Sequence, residues 1–256
     1  MILAVDIGNT HIKVGAFDNE RLVFVSRLQT NRLKTEDEYA ANLVDIFRLN
    51  DCNSNQFDGA AISSVVPPLS TTIRSAVEKV IRSQRVYLVS PGIKTGLNIK
   101  IDNPSTLGSD LVCAAVSAQS RYSLPCIMIS MGTATVITAI DREGYFRGGA
   151  ITAGINISLE ALSLNTSQLP HISLESVESI IGSNTVDSMK SGAIYGTASM
   201  LDGMIARFKL EVGEDASVVA DGGLAQYIIP HCHEDIILDD ALVLDGLRLI
   251  YKKNAK

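Results

Sequence analysis

Near the N-terminus a single carboxylate, Asp6, interrupts an apolar run that begins at Ile2, and Gly8-Asn9-Thr10 follows before a second apolar run, Ile12 to Phe17. A glycine at such a turn lets the backbone come close to a ligand. Asn9 and Thr10 add small polar groups beside exposed amide hydrogens. This set suits a magnesium-bound polyphosphate: amides and hydroxyl hold phosphate oxygens, and the carboxylate orients the water shell of the metal. The same residues also describe an ordinary hairpin with a turn-forming asparagine. The pattern recurs at Cys126 to Ile140, where apolar runs flank Gly132-Thr133. Each copy continues through a polar turn, Asp18-Asn19-Glu20 or Asp141 to Gly144, into a third run, Leu22 to Val25 or Tyr145 to Ile151. Two such units in one chain predict a duplicated domain with a phosphate turn in each copy.

Three further groups have types that could do chemistry. Gly108-Ser109-Asp110 opens an apolar helical run, Leu111 to Ser120. Asp110 there is either a first-turn residue favoured by the helix dipole or a carboxylate aimed at a substrate hydroxyl. Val218 to Asp221 reads as a strand entering Gly222-Gly223, a turn on which a flat purine could lie against backbone. His231-Cys232-His233 resembles a metal cluster, but neighbours on a strand point to opposite faces, so at most the two histidines could share an ion. A solvated or structural role is expected.

The intervening elements read as α/β. Thr35 to Glu38 carries a helix-start signature ahead of apolar residues at helical spacing from Tyr39 to Leu49. Phe57 to Val66 is a strand ending in Ser63-Ser64, with Pro67-Pro68 as its stop, followed by a helix over 71–83 and a strand over 85–89. Gly92 to Thr106 reads as a connecting loop. Later come helices over 155–162 and 186–208 and a short amphipathic helix over 239–249. Gly192, Ala193, Gly196 and Ala198 place small residues along one long helix, which fits dimer packing and internal core packing equally well. At 256 residues the chain suits two domains, 1–117 and 118–256. With 46% hydrophobic and 20% charged residues it is a globular composition. A net charge of −6 without a basic block argues against nucleic acid. Asp6 breaks the first apolar residues too early for a signal sequence or a membrane span. The four cysteines lack metal-site spacing, and a cytoplasmic protein is expected.

Taken in order, two phosphate turns and a Gly-Gly turn resemble the actin–hexokinase–acetate kinase superfamily. More closely, the chain is similar to the type III pantothenate kinases, the Bvg accessory factor family, as a divergent member. The resemblance runs nearly end to end through Asp6 to Thr10, Ser64 to Pro67, Lys94 to Leu97, Asn103-Pro104, Gly108 to Asp110, Gly132 to Thr135 and Gly148 to Ile151. It continues through Leu169-Pro170, Gly182 to Thr185, Ser188 to Gly192, Asp221 to Ala225 and Leu244 to Leu247. It implies a homodimer of duplicated RNase-H-like domains that uses ATP and Mg²⁺ to phosphorylate pantothenate, the first step of coenzyme A biosynthesis, with K⁺ or NH₄⁺ required. Position by position it implies that Asp6 holds Mg²⁺ through water. Gly8, Asn9, Thr10, Lys13, Gly132, Thr133, Gly222 and Gly223 would bind ATP. Gly108, Ser109 and Thr185 would meet the substrate, Thr185 from the partner subunit, with Asp110 as general base.

Departures from the family pattern cluster at the substrate and cation positions. Leu111 stands where the family has an arginine that contacts the substrate carboxylate, and leucine cannot donate a hydrogen bond. Ile101 replaces a substrate-side tyrosine. Ser130 replaces the carboxylate linked to the monovalent cation, which predicts a weak response to potassium, and Asp221 replaces the threonine before the Gly-Gly turn. These changes leave two alternatives to pantothenate phosphorylation: a small-molecule kinase with a more apolar acceptor, or a non-catalytic nucleotide-binding regulator.

Overall fold

The structure is a computed structural model that describes residues 1–174, 177 and 179–255. The chain forms two compact units, one of Met1–Leu97, Asn103–Ser120 and Ala241–Lys256, the other of Asn98–Asp102 and Arg121–Asp240.

In the first unit, β1 (Ile2–Ile7) is central. It pairs antiparallel with β2 (His11–Asp18), which pairs with β3 (Arg21–Gln29), and parallel with β4 (Gly59–Ser64), which pairs with β5 (Val86–Leu88). Both faces of β1 are covered, so Leu3, Ala4 and Val5 are all buried. One face carries α1 (Glu36–Leu49) and α2 (Pro67–Ile81), whose Tyr39, Leu43, Phe47, Leu69 and Ile73 share a core with Leu3, Val5 and Ile7. Helix α1 starts where the capping box sets it: the Glu38 N–H donates to Thr35 Oγ1, and the Thr35 N–H donates to Glu38 Oε2 at 2.8 Å. The proline pair expected to stop β4 instead occupies the first turn of α2. Proline loses nothing there, because its missing N–H has no helical partner anyway.

The other face receives α3 (Ser109–Arg121) and α7, the last helix (Leu242–Asn254). Helix α7 lies on β1, β2 and β4. A methyl on Gly246 would stand 2.9 Å from Cys113 Cα, so α3 and α7 meet backbone to backbone.

The second unit repeats the plan. Central β7 (Cys126–Met131) pairs antiparallel with β8 (Ala134–Ile140), which pairs with β9 (Tyr145–Ala153), and parallel with β10 (Ser217–Asp221), which pairs with β11 (Ile237–Leu238). The segment expected to be a loop contributes β6 (Asn98–Ile99), parallel to β9, and a 3₁₀ turn at Pro104–Thr106. Two residues are too few to show a period. Helices α4 (Ile155–Asn165), α5 (Thr185–Val212) and α6 (Ala225–Ile228) complete the unit. Along α5, Ala198 joins Ile194, Leu201 and Ile205 in the core beneath β7. Methyls on Gly192 and Gly196 would meet no atom within 4 Å, so the small-residue stripe divides between core and surface.

His231-Cys232-His233 lies not on a strand but at the end of a 3₁₀ turn, Ile229–His231. His231 packs edge-on against Tyr195 at 4.8 Å, and the His233 N–H donates to the Asp202 carboxylate at 3.0 Å. Among the described residues no group of three or more His, Cys, Asp or Glu could hold a metal ion. Nor, among them, is any helix long and apolar enough to cross a membrane.

Candidate active site

At the C-terminal end of β1, Asp6 stands in register with Lys13 on β2 and Ser63 on β4. Paired residues on adjacent strands share a face, so Lys13, Asp6 and Ser63 form a row across three strands. Ser63 is fully buried, and its hydroxyl donates to Asp6 Oδ1 in a short hydrogen bond. The turn beyond is tight: the Gly8 N–H donates to the His11 carbonyl at 3.0 Å, and an added methyl on Gly8 would come within 2.9 Å of that oxygen. From just past the end of β3, the Thr30 hydroxyl donates to the Gly8 carbonyl at 2.7 Å and so stiffens the turn. Asn9 and Thr10 are exposed at its tip, with Arg32 donating to Asn9 Oδ1 at 3.4 Å. A carboxylate behind a stiff, exposed turn of amides and a hydroxyl fits a hydrated magnesium ion with its phosphates.

The second carboxylate of this unit, Asp110, sits in the first turn of α3, where its Oδ1 accepts the Leu111 N–H at 2.9 Å and lies against Gly108. Burial pushes its pKa above the ordinary aspartate value, against the pull of hydrogen bonds from its own helix terminus. Cys113, one turn further, is fully buried. Its thiol is pushed well above the usual range by burial first, then by the negative charges of Asp6 and Asp110. Ser109 ties α3 to β4, the strand paired with β1: its hydroxyl accepts the Ser64 N–H at 2.9 Å and donates to the Ser64 carbonyl at 3.0 Å.

In the second unit Ser130 occupies the position on β7 that Asp6 occupies on β1, two residues before the turn glycine. It stands in register with Val136 on β8 and with Asp221 on β10. Where the first unit has aspartate on the first strand and serine on the fourth, the second has serine on the first and aspartate on the fourth. Asp221 is 4% exposed. The Gly132 N–H donates to the Ala134 carbonyl at 3.0 Å, and the Gly154 N–H donates to the Thr133 carbonyl at 3.1 Å. Gly222 has φ +120°, and a methyl there would stand 3.0 Å from Met131 Cα, so the Gly-Gly turn lies directly on the strand end that leads into Gly132. Gly223 is open. Ile101 follows β6 and touches the site of a methyl on Gly148 at 3.4 Å.

Thr185 is the first residue of α5, capped by Asn184, whose side chain accepts the Asp187 N–H at 3.0 Å. It lines a groove of about 680 Å³ between α4 and α5, with Leu159, Leu162, Met189 and Gly192. The anticipated residues thus gather within each unit: Asp6 to Lys13 with Gly108 to Leu111 in the first, and Ser130 to Thr133 with Gly222-Gly223 in the second. Ser63 and Cys113 went unrecognised as site residues. A polar Ser63-Ser64 pair at the end of an otherwise apolar strand was the available signal for the first, and nothing local marks Cys113.

The family model described as type III pantothenate kinase matches residues 2–207. The chain belongs to that family. The type III pantothenate kinase of Halalkalibacterium halodurans is 42% identical over 254 residues, covering 99% of this chain and 100% of the relative. Component A of (R)-2-hydroxyglutaryl-CoA dehydratase from Acidaminococcus fermentans superposes with a TM-score of 0.60 at 16% identity, covering 100% of this chain and 99% of that one. The inorganic polyphosphate/ATP-glucomannokinase of an Arthrobacter species gives 0.50 at 13% identity, covering 98% of each. These structural likenesses show the fold, an α/β architecture with two mixed sheets.

Proposed function

We propose that the chain transfers the γ-phosphoryl group of ATP to the primary hydroxyl of pantothenate, the first step of coenzyme A biosynthesis. One observation carries this reading: two carboxylates of the first unit, linked through Ser63 and Ser64 at the end of β4, stand in unlike settings. Asp6 holds a hydrogen bond from Ser63, while Asp110 is desolvated with a raised pKa. Unlike settings assign unlike roles. Asp6, backed by Ser63, orients the water shell of magnesium, which when bound neutralises charge on the β- and γ-phosphates. Asp110 accepts the hydroxyl proton as the oxygen attacks. The Gly8 to Thr10 and Gly132-Thr133 turns bind phosphate oxygens, with Lys13 beside the first, and Gly222-Gly223 accommodates the purine.

The monovalent cation belongs to the second unit. Ser130 offers only a hydroxyl, which by itself predicts a weak potassium response, but its register partner Asp221 supplies a carboxylate that completes an oxygen site, so a full response replaces that expectation. We assign K⁺ or NH₄⁺ there. The apolar groove between α4 and α5, together with exposed Ile151, Leu164 and Ile181, supports a homodimer through that face, with Thr185 meeting the partner's substrate. Four free cysteines suit a cytoplasmic location.

The test is turnover. Purified protein given ATP, Mg²⁺, K⁺ and pantothenate is expected to form 4'-phosphopantothenate, identified by mass spectrometry. Absence of product at millimolar pantothenate would refute the reading.

A further inference from the structure

The two carboxylates lie on different elements, Asp6 on a strand and Asp110 on a helix reached about a hundred residues later in the chain. Adjacent residues at the end of β4 reach Asp6 itself and Ser109, the neighbour of Asp110. The Ser63 hydroxyl donates a hydrogen bond to Asp6 Oδ1, from a position with no solvent exposure. Ser64 gives both backbone polar groups to the hydroxyl of Ser109, the residue immediately before Asp110. Ser64 is further held by Ser70, whose hydroxyl donates to Ser64 Oγ at 2.8 Å, so the brace is anchored in α2 as well.

A Ser109 hydroxyl that both donates to and accepts from the backbone of one residue is a fastener. We propose that Ser63 and Ser109 are positioning residues, through which the end of β4 sets the two carboxylates of phosphoryl transfer relative to each other. The proposal rests on the kinase reading for its rate effects, but its binding effect does not depend on the acceptor.

The physical reason is that neither carboxylate is held by its own element alone. Asp6 ends a strand, where the next residues turn away. Asp110 sits at a helix start, where no preceding helical turn restrains the backbone. Without Ser109, the start of α3 loses its two side-chain hydrogen bonds to β4, and a displacement of about 1 Å at a reacting group can cost on the order of 100-fold in rate. Without Ser63, Asp6 loses the donor that orients it, and removing such an outer partner of a metal-orienting group typically weakens metal affinity about 10–100-fold.

The two serines should therefore fail differently. Ser109→Ala is expected to lower kcat about 10–100-fold with KM for ATP within about twofold, and Ser109→Thr, which keeps the hydroxyl, is expected to recover most of the rate. Ser63→Ala is expected to raise the Mg²⁺ concentration for half-maximal binding of a non-hydrolysable ATP analogue about tenfold or more, measured by calorimetry without any acceptor. Thermal denaturation of each variant confirms that it is folded. If Ser109→Ala turns over like the parent, or if Ser109→Thr fails alongside it while folded, Ser109 does not position Asp110. An unchanged magnesium requirement in folded Ser63→Ala overturns the other half. Should the parent protein bind magnesium and nucleotide yet not phosphorylate pantothenate, the acceptor assignment fails while the Ser63 result still stands or falls by itself.

Discussion

Gly246 offers the most direct test of how the last helix supports the site. In α7, the position of an added Cβ lies 2.9 Å from Cys113 Cα and nearer still to the Cys113 carbonyl. Ordinary carbon–carbon contact needs about 3.5–4.0 Å, and both offending atoms are backbone, so no rotamer change relieves the clash. In Gly246→Ala, α7 and α3 must therefore part by roughly 1 Å. Overpacking of this kind costs about 1–3 kcal/mol, occasionally more, and about 3 kcal/mol is the fitting value because neither helix backbone can yield locally. For a chain of this size that lowers Tm by roughly 6–12 °C. The alanine gains about 1 kcal/mol in helix propensity, which offsets part of the loss. The comparison is Gly203→Ala, also mid-helix, where an added methyl meets only the flexible end of Arg207 at 3.2 Å. There Tm should hold or rise. Scanning calorimetry of both variants beside the parent decides the matter. A Gly246→Ala protein within 1–2 °C of the parent, or no less stable than Gly203→Ala, would refute the backbone contact between α3 and α7. Because Gly246 packs on α3, the helix that carries Asp110, kcat should also fall in Gly246→Ala and not in Gly203→Ala.

Other outcomes follow from the same geometry. Since burial raises the Asp110 pKa, its ionised, proton-accepting form is reached only as pH rises through that elevated value. The acid limb of kcat/KM should therefore lie above the ordinary aspartate range, and Asp110→Asn should abolish turnover. A folded-state pKa above the unfolded one favours the fold below the unfolded pKa, and that contribution is lost as pH climbs through the folded value. Asp110→Asn should thus leave Tm at pH 7 equal or higher, and a clear drop would contradict the assignment. Potassium, compared with sodium at fixed ionic strength, should raise Tm and the rate in the parent but not in Asp221→Asn, and moving the carboxylate back with Ser130→Asp in that background should restore the response. Equal potassium effects in parent and Asp221→Asn would remove Asp221 from the cation site. Leu111→Arg should lower KM for pantothenate at least about tenfold, since a charge pair with the substrate carboxylate is worth about 2–5 kcal/mol. An unchanged KM would mean that this position does not face the carboxylate.

What could be read along the chain is what local chemistry writes locally. The Asp6-to-Thr10 turn, its echo at Gly132-Thr133, the capping box at Thr35 and the α/β order all depend on residues a few positions apart, and each has the expected form. Pro67-Pro68 was legible as a boundary but not as a helix start, because proline ends one element and begins another by the same missing N–H. Tertiary structure alone decided the pairings. Ser63 meets Asp6 across 57 residues, Ser109 fastens to Ser64 across 45, and Asp221 lies beside Ser130 across 91. A strand's period says which face a residue takes but not which residue of another strand stands opposite, since a shift of two positions preserves every face. That register is set by the packing of whole sheets and helices, Gly246 on Cys113 among the contacts, and it is why Ser63 stands on Asp6 and Ser64 on Ser109.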